Sequence, residues 1–553
     1  MSIKGKKKFS LGLKNKIFIS LSVGLGLIVV LTWFINSNRS FIVKLREVNN
    51  KIYASSELAG LSASQKKSLR QLMEVDDDIQ ELIEYAPDLI NKNSIIKNAA
   101  GLSKTEAESQ SKQIKDKAVL TPDTRLGSAP IPSKVRPNIV LIVADDQRYG
   151  SIERMPYMSS LAGHWYKFAQ ATVNVSLCCP SRSAILSGQY SHTSGVEDNL
   201  KMRFFNEKDN LATRLHDSGY KTALIGKYLN GWVSDRRAYK PEGWDEWSPF
   251  VGPPNYYNYD LLENGVKVRY GEAEIDYSTD VLGQKAVDFI QKTKHPFFLY
   301  FAPYTAHSPF IPAPRHLQAD VGQIVRGKNF NEEDIADKPE WMRNLPKRDE
   351  KLMGDMLKSQ YRMLLSLDEW VEKIVSVLQE KSLLENTIII YISDNSIAFG
   401  EHRLVSKTCG HKICNHIPLF IYYPFNPVVP GRSIDIPVTN VDIAPTVAEF
   451  AGVKLSKPDG LSLVGLLKGQ KSLSRKGILI RWAGLEDFYI TPAFWGIVTN
   501  KWRYIELVTG EKELYSLSAD PFELQNLANG PQYNQIMIQL SKDLQELKKG
   551  ITK

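Results

Sequence analysis

Three stretches of the chain are nearly continuous in apolar residues and end in polar ones: PNIVLIVADDQ, HPFFLYFAPYTAH and NTIIIYISDN. They lack the alternation of a half-exposed strand. Runs of this kind predict strands buried on both faces, in a sheet covered by helices. Helical patterns lie between them, for example MLKSQYRMLLSLDEWVEKIVSVLQEKS. Strands alternating with helices predict an α/β sheet, and ligands of such sheets gather outside the carboxyl ends of the strands. Asp145, Asp146, His307, Asp394 and Asn395 stand at those ends and are expected to converge on one site. Further on, Tyr504 to Leu507 and Glu513 to Leu517 flank a TGE turn, which predicts a hairpin. With a closing helix, this makes a smaller C-terminal α+β subdomain.

The N-terminal end follows a different pattern. The run from Ile17 to Ile35 contains no charge and has about the length of a membrane-spanning helix. Lys4, Lys6, Lys7, Lys8, Lys14 and Lys16 precede it, and Trp33 lies near its end. The run closes on TWFINSNRS, which offers no small-residue cleavage site, so an uncleaved anchor is expected rather than a signal peptide. The lysines keep the N-terminus in the cytoplasm and place everything after Asn36 outside it. A polar, helix-friendly stretch follows, predicted to be a helical stalk or small helical region, and LGSAPIPSKVRP reads as a linker. The expected organisation is a basic tail and transmembrane anchor over 1–36 and a stalk over 37–128. A catalytic domain over 129–472 and the α+β subdomain over 473–553 complete it.

Composition adds little to this. The 553 residues are 43% hydrophobic and 24% charged, ordinary for a folded protein. The formal charge of +9 owes much to the first sixteen residues, which argues against a nucleic-acid surface spread over the fold.

The acid pair Asp145-Asp146 at a strand end suits a hard divalent cation, or else a helix cap. Asp394-Asn395, at another strand end, favours the cation. In SLCCPSRSAILSG, Cys178 reads either as a nucleophile beside Arg182 or as one of two buried apolar cysteines. The spacing Cys409-x-His411-x2-Cys414-x-His416 leaves open a zinc site, a Cys409–Cys414 disulfide and free thiols.

The run Cys178-Cys179-Pro180-Ser181-Arg182, continuing to Leu186 and Gly188, resembles the C-x-P-S-R motif of type I sulfatases, members of the alkaline phosphatase superfamily. DDQ after an apolar strand, GKYLN, TAHSPF, ISDN with GEH, VDIAPTVAEFAGV and ELYSLSADPFELQNLA resemble sulfatase segments in their usual order. GKYLNGW, PEGWDEW and YYNY look most like the N-acetylglucosamine-6-sulfatase and endosulfatase branch. The resemblance covers about Pro137 to the C-terminus. It implies a large mixed sheet flanked by helices, and a Cys178 converted to formylglycine by a separate maturation enzyme. In the family, one hydroxyl of the hydrated aldehyde attacks sulfur. The other, on deprotonation, expels sulfate. The implied cation is calcium, held by Asp145, Asp146, Asp394, Asn395 and residue 178. Arg182, Lys227 and Lys407 match the positions that meet the sulfate charge, and His307 matches the residue that protonates the leaving oxygen.

The pattern departs from the family at two places. Leu229 stands where many sulfatases carry a histidine, and Ser396 replaces a common glycine. Neither His192 nor His402 is assigned a role. The implied function is hydrolysis of sulfate esters, on a sulfated carbohydrate resembling N-acetylglucosamine-6-sulfate. The alternatives are an arylsulfatase, a phosphonate or phosphodiester hydrolase of the same superfamily, and an inactive sulfatase-like binding protein.

Overall fold

A computed structural model describes residues 136–549 apart from 162–163, 233–238, 295, 426–431 and 486–488. The expected anchor and stalk lie outside the described residues. Among the described residues no helix is long and apolar enough to cross a membrane.

The strands of the large sheet are β1 (Asn138–Ala144), β2 (Tyr166–Phe168), β4 (Lys221–Gly226), β5 (Glu246–Val251), β6 (Asp260–Glu263), β7 (Val266–Arg269), β8 (Phe297–Ala302), β9 (Thr387–Ser393), β10 (Leu419–Tyr422) and β11 (Ser433–Ile434). Their spatial order is β11-β2-β10-β9-β1-β8-β4-β5-β6-β7. The centre, β9-β1-β8-β4-β5, is parallel. Strand β10 runs antiparallel to β9, and β6 and β7 continue antiparallel from β5. A two-strand ladder pairs β3 (Ala171–Thr172) with β12 (Val438–Thr439).

The apolar runs are continuous because both faces of the sheet are covered. Ile139, Leu141 and Val143 of β1 point into one core, with Ile388, Ile390 and Ile392 of β9 and Phe298 and Tyr300 of β8. Val140, Ile142 and Ala144 point into the other, with Ile389, Tyr391, Phe297, Leu299 and Phe301. Burying a large side chain of this kind stabilises the fold by about 1.5–3 kcal/mol. The first core is closed by helices α1 (Cys178–Ser187), α2 (Leu211–Asp217) and α5 (Ile443–Ala451). The second is closed by α3 (Ser278–Lys292) and α4 (Glu350–Glu380). Helices α3 and α4 meet at Gly283, where a Cβ would lie 2.1 Å from the Trp370 ring.

The predicted hairpin is present. Strands β13 (Ile478–Trp482), β14 (Phe494–Val498), β15 (Trp502–Leu507) and β16 (Lys512–Ser516) form an antiparallel sheet, on which α6 (Asn534–Lys548) packs through Leu540 and Leu544. The architecture agrees with the expected α/β fold and small C-terminal sheet subdomain.

Candidate active site

The register of the parallel strands brings the predicted residues together. Ala144 at the end of β1 is paired with Ser393 at the end of β9, so Asp145 and Asp394 leave the sheet side by side. Gly226 ends β4 at φ 113°, where a Cβ would meet the Ala302 carbonyl oxygen at 2.0 Å. Only glycine fits there, and the following Lys227 donates its N–H to that carbonyl at 2.7 Å. His307 follows the end of β8. Cys178 opens α1, whose next residue, Cys179, donates its N–H to Asn199 Oδ1 at 3.0 Å.

These side chains make one buried cluster. Donor atoms of Asp145, Asp146, Cys178 and His307 all lie within 4.8 Å of one another. Cys178 Sγ is 3.8 Å from Asp145 Oδ1. Lys227 Nζ meets Asp145 Oδ2 at 2.6 Å. Lys407 Nζ lies 2.9 Å from Asp146 Oδ2, 3.4 Å from Cys178 Sγ and 3.1 Å from His307 Nε2. Asp394 accepts from Arg182 Nε at 2.8 Å and from the N–H groups of Asp146 and Asn395 at 3.1 and 2.8 Å. Asn395 Nδ2 donates to Asp146 Oδ1, while Asn395 Oδ1 is buried with no hydrogen-bond partner.

Electrostatics follow from this packing. Burial alone would raise the Asp145 carboxyl, but Lys227 and Arg182 overcome it and hold the group below the ordinary carboxylate range. Asp146 is likewise lowered against its burial by Lys407 and His307. Burial and the adjacent Asp145 push Asp394 up to about 6 despite Arg182 and Lys227. Lys407 is held charged, against the effect of its burial, chiefly by Asp146.

The residues fit a hard divalent cation. The carboxylates supply oxygen ligands, and a buried amide oxygen without a partner is otherwise costly. Asp145, Asp146, residue 178 and Asn395 are the donors with atoms to offer. Asp394 stands beside them, its oxygens bonded to Arg182 and to the N–H groups of Asp146 and Asn395. Arg182 is wholly buried and directs Nε to Asp394 and Nη1 to the Lys227 carbonyl at 3.0 Å. It therefore organises the carboxylates from beneath. Lys227, His307 and Lys407 keep slight exposure, at 6, 9 and 14% of their side chains.

Lys407 comes from an irregular strap over residues 400–416. Gly400, His402 and Arg403 have positive φ. His402 Nδ1 pairs with Glu332 at 2.6 Å, and His411 Nε2 with Glu513 of β16 at 3.1 Å. Arg503 of β15 donates to the Gly410 carbonyl at 2.8 Å. Cys409 and Cys414 form a disulfide. This settles the three alternatives that spacing left open and removes the zinc reading, because the sulfurs are bonded to each other and His416 Nε2 faces the Ala169 carbonyl. His192 packs between Tyr190 and Trp495.

Sequence reasoning missed two contributors. Gln360 of α4 is fully buried and bonds to the backbone beside the site. Its signal was a polar residue on an otherwise apolar helical stripe. Asn199 holds the amide next to Cys178, and no pattern in the sequence marked it.

Residues 137–453 match the sulfatase family, and residues 400–550 match the family described as N-sulphoglucosamine sulphohydrolase, C-terminal. A goat (Capra hircus) N-acetylglucosamine-6-sulfatase is 30% identical over 451 residues, covering 71% of this chain and 80% of its own. An N-acetylglucosamine-6-O-sulfatase of Bacteroides thetaiotaomicron is 26% identical, covering 75% of this chain and 86% of its own. A solved structure of a protein in complex with its substrate D-glucosamine-2-N,6-O-disulfate superposes with a TM-score of 0.65 at 25% identity, over 75% of this chain and 98% of that one.

Proposed function

The chain belongs to the sulfatase family and is a sulfuric ester hydrolase, and from that premise we propose that it removes the 6-O-sulfate of a sulfated glucosamine. The reading is carried by the closed cluster of Cys178, Asp145, Asp146 and His307. The naming of the relatives described above supports the sugar.

We propose formylglycine at position 178 and calcium as the cation. Hydrated, that aldehyde would offer one hydroxyl to bond sulfur as the alcohol oxygen leaves, and a second whose deprotonation would let sulfate go. Calcium held by Asp145, Asp146 and Asn395 would make the attacking hydroxyl more acidic and offset the sulfate charge. The chain's own residues do the rest. Arg182 fixes Asp394 and Asp145 in place. Lys227 and Lys407 present positive charge at the only partly open side of the cluster, where the sulfate charge must be met. The Ser308 carbonyl lies 2.7 Å from His307 Nδ1, which places a proton on that nitrogen, so that a second proton, on Nε2 of the imidazolium, is the one to pass to the leaving oxygen.

We place the catalytic domain outside the cytoplasm, on an N-terminal anchor. The uncharged run from Ile17 to Ile35, the lysines before it and the disulfide support this. Turnover of N-acetylglucosamine-6-sulfate, 4-nitrophenyl sulfate and an aryl phosphodiester should rank in that order. Faster turnover of the phosphodiester would refute the reading. Mass spectrometry of the tryptic peptide ending at Arg182 should show sulfur lost and oxygen gained at residue 178. Fully active protein carrying only the thiol would exclude the aldehyde.

A further inference from the structure

We propose that Gln360 is a positioning residue for the reaction, acting on Asp146 and His307 at once. The inference rests on the proposed cation site and goes beyond it.

Helix α4 presents a buried stripe of Met353, Leu357, Leu364, Leu367, Val371, Ile374 and Leu378, and Gln360 stands on that stripe. A primary amide buried among apolar side chains costs free energy unless it is bonded. Its Nε2 donates to the Asp146 carbonyl at 3.2 Å and to the Ala306 carbonyl at 3.3 Å, while its Oε1 is buried without a hydrogen-bond partner among the described residues. Both acceptors belong to the site. One is the backbone of Asp146, and the other immediately precedes His307.

The backbone shows why this bridge matters. The segments after β1 and β8 are joined by two hydrogen bonds, Asp145 N–H to the Thr305 carbonyl at 2.9 Å and Ala306 N–H to the Asp145 carbonyl at 2.8 Å. Asp146 then turns to φ 56°, a left-handed conformation that side chains other than glycine's adopt at a cost. That turn ends the ladder and aims the carboxylate toward Lys407 and His307. The Gln360 amide takes the place of the next rung. It holds the turned Asp146 and the chain leading to His307 at a fixed separation, from a long helix anchored in the core.

The test uses the purified full-length protein. Gln360→Met keeps the volume and loses both bonds. It should weaken calcium binding to the metal-free protein, read by titration calorimetry, by roughly tenfold or more, the scale of groups that support metal ligands. Its kcat should fall in parallel, with KM less affected. Gln360→Glu, which sets a carboxylate against two carbonyls, should be worse than Met. A role in packing alone predicts the opposite for Met: a normal calcium affinity and kcat in the folded protein. That result would overturn the proposal. If the Met variant does not fold, Gln360→Asn keeps the amide on a shorter stem and should show the same loss. Wild-type affinity and kcat in that variant would overturn the proposal equally. A wild-type protein that takes up no divalent cation would sink the cation reading, and the kcat of these variants would then decide the role of Gln360 on its own.

Discussion

The two sides of the site are held by different means. The side carrying Asp145, Asp146, Asp394 and Asn395 grows directly from paired parallel strands, and its residues are at most 2% exposed. Its geometry follows from the hydrophobic cores above and below the sheet. Lys407 arrives from the other side on a largely irregular strap whose helical turn is Lys412–Asn415. That strap is held by one covalent bond, two histidine–glutamate pairs and an arginine from the C-terminal sheet. The acids stand on the ends of paired strands, whereas the base opposite them stands on a strap packed through Leu404, Cys409 and Cys414 in a small apolar cluster and braced by polar bonds and a disulfide. The second kind of support is more easily undone without unfolding the protein.

Four experiments test that contrast, beginning with the largest expected effect. Cys178→Ser changes one buried atom of the sheet side. Sulfate release should fall by roughly a thousandfold or more while melting stays unchanged, and near-normal turnover would remove residue 178 from the chemistry. Lys407→Met on the strap should cost about a hundredfold in kcat. An effect confined to KM would mean that Lys407 only binds substrate. Replacing Cys409 and Cys414 together by Ser should lower kcat roughly tenfold and stability by about 2 kcal/mol for so short a loop. The circular dichroism of the core should stay intact, and unaltered kcat would show that the strap holds Lys407 without the disulfide.

The smallest effect should come from Asp368 in α4, a control that touches none of the site residues named above. Its carboxyl accepts the N–H groups of Tyr157 and Met158, yet burial pushes it up to about 7. The folded protein then binds a proton that the unfolded chain releases near pH 4. Stability conferred by that proton is present at low pH and is lost as pH rises through about 7. Asp368→Asn should flatten this slope in a denaturation series from pH 4 to 8 and leave kcat alone. An unchanged slope would assign it to another group.

The same contrast marks what the sequence made legible. Continuous apolar runs announced β1, β8 and β9, and the polar residues ending them announced the acids, because burial on both faces leaves a plain signature. The catalytic reading of Cys178, Lys227 and Lys407 needed the resemblance, since a lysine in a loop carries no such mark. The pairing of His402 with Glu332 and of His411 with Glu513 depends on the tertiary path and left no local trace. Arg182 was expected to face the sulfate. Its burial against the carboxylates follows from a helix buried on every side, which spacing does not reveal. Gln360 was visible as an anomaly, one amide on an apolar stripe, but only the fold says what it bonds to.

Every residue of α1 is buried, and this has a consequence in time. Arg182 closes onto Asp394, which lies 212 residues further along the chain. At translation rates of about 5–20 residues per second, the ribosome reaches that partner on the order of 10–40 s later. The modification proposed for residue 178 would have to take place within that interval, plus the folding delay, before the nascent sheet shuts the segment in.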